Sequence, residues 1–481
     1  KIENSKIKML ANLIISLLLI VTVSGYTEEA LNDQITNLPG SEKLNINFNQ
    51  FSGYLNIEGV NGNKTKYMHY WFVESMNDPA NDPIAFWTNG GPGCSGLLGF
   101  MTEQGPFKPN KDMSLSFNEY AWNKVSNMVF IESPAGVGFS KSTNPTEDLV
   151  TGDQQTAEDN YNLIQAFMER FPGYKSNSLY ISSESYGGHY MPTLAKEIVD
   201  MNAADNGKPV LNFKGFAVGN PYTDEYSGTG AMLDTFWGHQ LIAKPTYDDY
   251  VAKCVKSIRP NVADCLQLQI EMNEQIGSLN VYALDYPVCV EDSKLSYKTN
   301  AQRTWMLNTL FSHVSEEDRK RLGVPSKEEY EPCEEDYTET YLNLDSVKSA
   351  IHVDSDIKWE PCSYKVQYNM SDSAISTAPI YNYLVDGGFG LDILVFSGDD
   401  DSVCATIGTQ NWIWDLGYEV AGKQWKTYYV ADQTAGYLTQ WKNTKLGFLT
   451  IHGAGHEVPA YKPEVALDMW ARYLNGEFTN Q

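Results

Sequence analysis

Positive charge is scarce in this chain, and its scarcity is the first exclusion the sequence makes. Only 35 Lys and Arg stand against 61 Asp and Glu, a formal net charge of −26. So acidic a surface repels phosphate backbones and anionic bilayers, which argues against nucleic acid and charged membranes as partners. It suits an acidic lumen, where protonating some carboxylates relieves self-repulsion. Long apolar runs are equally missing past Val23, so no membrane span is expected once the N-terminal segment is removed. None of the seven cysteines stands in a C-x-x-C pair, which argues against a zinc site. Neither a metal nor a cofactor is expected. No long low-complexity tract interrupts an ordinary globular composition.

What is present begins with an address. Lys1, Lys6 and Lys8 precede an apolar run from Leu13 to Val23, and Val23-Ser24-Gly25 offers small residues for cleavage. Residues 1–25 are therefore expected to be a secretory signal peptide, with Met9 an internal start. An oxidising compartment follows. There Cys94, Cys254, Cys265, Cys289, Cys333, Cys362 and Cys404 allow three bridges and one free thiol. Cys254 and Cys265 are close enough to pair within a loop; the sequence leaves the other pairings open. Asn63-Lys64-Thr65 and Asn369-Met370-Ser371 become glycosylation sequons in that setting.

At 481 residues the chain exceeds what one core usually serves, so a large domain with an insertion, or two domains, is expected. Short apolar runs ending in loop residues recur at 67–74, 84–88, 128–132, 179–182, 213–218, 393–397 and 446–451. Helical patterns lie between several of them, at 154–171, 191–201 and 463–474. Strands alternating with helices predict an α/β protein built on a mostly parallel sheet. From about Asp224 to Thr340 the rhythm is lost, in a stretch that is charged and Tyr-rich, with helical patches such as Glu316 to Leu322. The expected division is a core over 26–223, an inserted, largely helical cap over 224–340, and a second core segment over 341–481. Such a cap roofs the carboxyl edge of the sheet, where ligands bind in open α/β folds.

The run Leu179-Tyr-Ile-Ser-Ser-Glu-Ser-Tyr-Gly-Gly188 carries a strand into a serine flanked by small residues, and then into a helical stretch. That is the pattern of a nucleophile elbow, with Ser185 lifted clear of the sheet and Ser183 where the pattern has glycine. On such sheets the acid and the histidine follow the nucleophile in that order. Asp392–Gly398 runs into Asp399-Asp400-Asp401, and Leu446–Ile451 into His452-Gly-Ala-Gly-His456, so both candidates sit in loops just after strands. His452 competes with His456. The histidine accepts and returns the serine proton, and the aspartate fixes its tautomer. Upstream, Ile84–Thr88 runs into Asn89-Gly90-Gly91-Pro92-Gly93-Cys94. Glycines after a strand let N–H groups point into a cavity. One such N–H together with that of Tyr186 makes an oxyanion hole.

These residues, with Trp87–Ser95, Asn123–Ser140, Ser183–Tyr190 and Gly453–Pro459, resemble the serine carboxypeptidases, the α/β-hydrolase exopeptidases of vacuoles and lysosomes. The similarity covers nearly all of the chain outside the signal and the insertion. It implies a triad of Ser185, Asp401 and His456, an oxyanion hole from the Gly91 and Tyr186 N–H groups, and peptide or protein C-termini as substrates. It also explains the inconvenient acid beside the nucleophile. Glu184 matches a glutamate that pairs with another, here Glu103, and with Asn89 and the Gly90 backbone holds the substrate's terminal carboxylate, buttressed by Trp87. Two carboxylates in contact share a proton, and the protonated one donates to an anion that two charges would repel. An acidic pH optimum is the expectation.

By the same resemblance the bridges are Cys94–Cys362, Cys254–Cys265 and Cys289–Cys333, leaving Cys404 a free thiol near the site. Glu457, beside His456, implies a preference for a basic departing residue, where some relatives with methionine prefer apolar ones. The expected setting is the secretory pathway, ending in a lysosome, a vacuole or outside the cell, with the protein a monomer or homodimer. Two other readings are acyl transfer, against which Glu184 argues because such relatives tend to carry aspartate there, and a non-catalytic protector role, against which the intact triad argues.

Overall fold

The computed structural model describes residues 25–204, 207–256, 261–286, 290–291, 294–295 and 337–479. All of the proposed signal peptide but Gly25, the helical patch at 316–322, and the Cys289–Cys333 pair lie outside them.

Ten strands form one path through the main sheet: β1 (Gln50–Ile57), β2 (Lys66–Val73), β3 (Ile84–Thr88), β4 (Asn127–Ile131), β5 (Leu179–Glu184), β6 (Phe213–Gly219), β7 (Asp392–Gly398), β8 (Lys426–Val430), β9 (Gln433–Gln440) and β10 (Leu446–Ile451). Their order is β1-β2-β4-β3-β5-β6-β7-β10-β9-β8, with the short Lys141–Ser142 strand paired to β2 off that path. The six from β4 to β10 are mutually parallel. Both margins are antiparallel.

Side chains of successive strand residues point to opposite faces, so a strand covered on both sides must be apolar at every position. In β7, Ile393 and Val395 enter one core while Leu394 and Phe396 enter the other. The first core is closed by α2 (Asp153–Arg170) and α3 (Gly187–Ala203), through Leu163, Ile164, Phe167, Leu194 and Ile198. The second is closed by α1 (Leu97–Thr102) and α7 (Pro463–Leu474), through Phe100, Met101, Met469, Trp470 and Tyr473. Each such side chain, fully buried, stabilises the fold by about 1.5–3 kcal/mol before entropy is counted.

Helix α3 begins at Gly187, four residues before the expected apolar pattern, because the turn after β5 leads directly into it. Pro192 interrupts its ladder, since proline has no N–H to give the Gly188 carbonyl. Thr377 Oγ1 donates to that carbonyl instead, at 2.7 Å. Within 224–286 the described chain is helical: α4 (Ala231–Gly238), α5 (Lys244–Tyr250) and α6 (Val262–Ile276), with Cys254 bonded to Cys265. Residues 280–286 then return to the carboxyl edge of the sheet. Among the described residues no helix is long and apolar enough to cross a membrane.

Candidate active site

Four parallel strands deliver the candidate residues to one edge. Ser185 follows β5 and holds φ of +61°, a left-handed conformation that a serine adopts only under constraint. The constraint is visible: Ser185 N donates to Gly219 O (3.0 Å), and its carbonyl accepts from Gly188 N (2.9 Å) and Tyr222 N (2.7 Å). The flanking positions must be small because they face each other. A Cβ on Gly187 would lie 2.3 Å from Ser183 Oγ, so Gly187 is what makes room for serine at 183.

After β7 the acidic run divides its work. Asp401 is buried, and its Oδ2 lies 2.6 Å from His456 Nδ1. The same carboxylate accepts from Asn220 Nδ2 (2.9 Å), Val403 N (2.7 Å) and Cys404 N (3.2 Å). Asp399 turns outward to His452 Nδ1 at 2.8 Å, on a largely exposed imidazole. Burial separates the two histidines: His456 lies inside against Asp401, and His452 lies at the surface. Burial pulls the His456 imidazole down, but the charge and hydrogen bond of Asp401, with Glu457 and Glu103 beyond, outweigh it and hold the ring above its ordinary value.

Cys404 is an unbridged, buried thiol. Burial pushes it well above the usual thiol range, Asp401 adds to the effect, and a hydrogen bond with Ser185 opposes it.

After β3 the glycine loop folds against the elbow. A Cβ on Gly90 would fall 2.5 Å from Tyr186 N, 2.6 Å from Glu184 O and 2.8 Å from Ser185 Cβ, so only glycine lets this loop approach. Gly91 has φ of +118°, Gly93 N donates to Tyr190 OH (3.2 Å), and the Cys94–Cys362 bridge anchors the far end. Asn89 is fully used. Its Nδ2 donates to Glu103 Oε1 (3.0 Å) and Glu184 Oε1 (2.9 Å), while its Oδ1 accepts from Trp87 Nε1 (2.8 Å) and Gly99 N (3.0 Å). The amide orientation follows from this network, and it draws two buried carboxylates to one nitrogen.

Glu457 is buried next to His456. Asn63 and Asn369 are exposed. Sequence reasoning did not single out two contributors. Asn220, at the end of β6, bonds Gly398 through its amide as well as Asp401. Tyr282 packs its ring at 90° to that of His456, with centroids 4.9 Å apart. The Asn after a strand end was a usable signal for the first; nothing local marked the second.

A sheet of this topology, with a strained serine between strand and helix and a buried Asp–His pair on neighbouring loops, defines an α/β-hydrolase of the serine type. Comparison with known proteins narrows the class. A family model described as serine carboxypeptidase matches residues 39–476, and the chain belongs to that family of serine-type carboxypeptidases. Serine carboxypeptidase 24 of Arabidopsis thaliana is 37% identical over 462 residues, spanning 94% of this chain and 94% of that protein. Serine carboxypeptidase-like 25 of the same plant is 34% identical over 465 residues, 95% and 94% of the two chains. In fold the chain is similar to Kex1(delta)p, a prohormone-processing carboxypeptidase from Saccharomyces cerevisiae, with a TM-score of 0.70, 20% identity, and coverage of 93% of this chain and 96% of that one.

Proposed function

We propose that the enzyme removes single residues from peptide and protein C-termini through an acyl-enzyme on Ser185. His456 takes the Ser185 proton as Oγ attacks the scissile carbonyl, and Asp401 holds the imidazole in the required tautomer. The Gly91 and Tyr186 N–H groups receive the oxyanion. Collapse of the tetrahedral species breaks the C–N bond, and His456 returns the proton to the departing amine. Water then attacks the ester by the same route in reverse, releasing the shortened peptide and restoring Ser185.

The observation that carries the exopeptidase reading is the Asn89 bridge between Glu103 and Glu184, beside the nucleophile. Two fully charged carboxylates there would repel a chain end. Sharing one proton, they offer it a donor, with Asn89 and the Gly90 backbone, while Trp87 steadies Asn89. Acidic pH therefore favours binding, and an acidic lumen reached through the secretory pathway is the natural setting, vacuolar, lysosomal or extracellular. Glu457 gives the departing residue's pocket a negative charge and a bias to basic side chains.

The deciding assay compares a blocked dipeptide with its C-terminal amide. Hydrolysis that requires the free carboxylate supports the reading, and equal turnover of both sinks it in favour of a general esterase or amidase. Glu184→Gln should remove the pH dependence of KM; an unchanged profile overturns the shared-proton account.

A further inference from the structure

Three carboxylates follow β7, and the mechanism uses one. Asp401 serves His456, Asp399 serves His452 at the surface, and Asp400 is buried with no part in the chemistry. Its contacts lead to the strap formed by residues 280–286. Asp285 N donates to Asp400 Oδ2 (3.0 Å), and Leu284 N donates to the Asp400 carbonyl (3.0 Å). Asp400 N in turn donates to Ala454 O (2.9 Å), in the loop that carries His456.

On its other side the strap touches both loops of the Asp–His pair. Val281 O accepts from Ser402 N (3.1 Å) and from Ser402 Oγ. Tyr282 O accepts from His456 N (2.7 Å), and the Tyr282 ring stands edge-on to the imidazole. Tyr286 OH donates to Gly453 O (3.2 Å). The fit is close: a Cβ on Gly455 would lie 2.4 Å from Tyr282 O and 2.5 Å from Ala283 Cβ. A strap so seated has few alternative positions while its end is held, and packed elements shift as units rather than by degrees.

We propose that Asp400 is the latch of this strap, and through it a positioning residue for His456. The Leu284 bond needs only a backbone carbonyl, whereas the Asp285 bond needs this side chain. The proposal rests on the reading of His456 as the base, but the latch itself has a readout that does not involve catalysis.

The latch is also tuned to acid. Burial raises the Asp400 carboxyl to about 6; the Asp285 N–H opposes this, the Asp285 carboxylate adds to it, His239 after α4 opposes it, and Asp399, itself paired with His452, adds to it. A folded-state value above the unfolded one means that the stabilisation is complete below the unfolded value and is lost as pH rises through about 6. Protonated, the side chain still accepts from Asp285 N through its carbonyl oxygen and places no charge in the interior. Ionised, it is a buried charge between two other carboxylates.

The test is amide hydrogen exchange of the whole enzyme, corrected for intrinsic rate, from below pH 5 to above pH 7. Wild-type protection at Leu284, Asp285 and His456 should fall by about 10- to 100-fold across that interval. Asp400→Asn, which keeps the acceptor without the charge, should hold protection flat, and its kcat should exceed wild type at the alkaline end with KM unchanged. Asp400→Ala should lower protection at every pH and kcat by about tenfold. Wild-type-like pH dependence in Asp400→Asn overturns the proposal, as does full strap protection in Asp400→Ala. If Asp400→Ala does not fold, the Asp400→Asn profile decides alone. Altered exchange with unaltered kcat would retain the latch and refute its action on His456.

Discussion

Asn220 Nδ2 lies 2.9 Å from Asp401 Oδ2, the oxygen that also faces His456 Nδ1 at 2.6 Å. The asparagine is itself pinned, because Gly398 N donates to its Oδ1 and its Nδ2 also reaches Gly398 O. Strand β6 thus fixes the carboxylate that holds His456, the proposed base. Hydrogen bonds to charged groups contribute about 1.5–3 kcal/mol. Asn220→Ala should therefore lower kcat by about 10- to 100-fold, with KM little changed. A kcat within twofold of wild type would show that Val403 N and Cys404 N hold Asp401 without help.

Much of this arrangement was legible in the sequence, and the reason is local. Strands β3, β5, β7 and β10 are buried on both faces, so each reads as an apolar run with a chemical loop at its end. At the margins β2 was legible as the run at 67–74, but β1, β8 and β9 were not. In β8 and β9 exposed and half-buried positions break the pattern, and in β1 the polar Gln50 and Ser52 are buried beside Phe51, so no apolar run marks its start. Tyr282 and Asn220 escaped for a different cause. Their roles come from being brought across the sheet edge to residues more than 100 positions away, which no spacing encodes.

Ser183 and Gly187 make a coupled pair. Gly187→Ala places a methyl 2.3 Å from Ser183 Oγ and 2.6 Å from Ser183 Cβ, in the turn that presents Ser185. Overpacking of this kind costs about 1–3 kcal/mol. The single variant should lose that much in denaturant unfolding and lose activity with it. Adding Ser183→Gly removes both clashing atoms, and the double variant should recover most of the loss. Additive effects would mean that the strain lies elsewhere in the elbow.

Cys404 should behave as a packed thiol. It is buried, and its thiol is held well above the usual range, so thiolate is scarce at neutral pH. A thiol reagent should label it slowly in the native enzyme and quickly after unfolding, by comparison with Cys404→Ser. Small mercurials that do reach it should inhibit, because Cys404 N donates to Asp401 Oδ2 and a bulky adduct there displaces that carboxylate. Rapid native labelling would show that the loop of Asp401 opens readily.

Glu457 offers a separable test of specificity. Replacing it with methionine removes a buried carboxylate next to His456, which on the proposed reading lines the pocket of the departing residue. The ratio of kcat/KM for C-terminal Lys over C-terminal Leu should fall by about 10- to 100-fold, the scale of one charge-assisted hydrogen bond. An unchanged ratio would assign Glu457 to the electrostatics of His456 alone.

The two halves of the site should answer pH in opposite senses. Asp401, with Glu457 and Glu103, holds His456 above its ordinary value against the pull of burial, so the free enzyme loses its base as pH falls through a point above 6.5. On the proposed reading, Glu103 and Glu184, both bonded to Asn89, share a proton that is lost as pH rises, and binding of a carboxylate weakens with it. Binding therefore prefers acid, while the base itself does not. Measured in the Asp400→Asn background, which removes the titration of the strap, kcat should fall on the acid side while KM rises on the alkaline side. Glu184→Gln should flatten only the KM limb. Glu457→Met should move only the kcat limb, toward lower pH, because it removes a charge that supports the imidazolium. If kcat and KM followed one common titration in all three enzymes, a single group would govern both, and the division of labour between the serine's base and the glutamate pair would have to be abandoned.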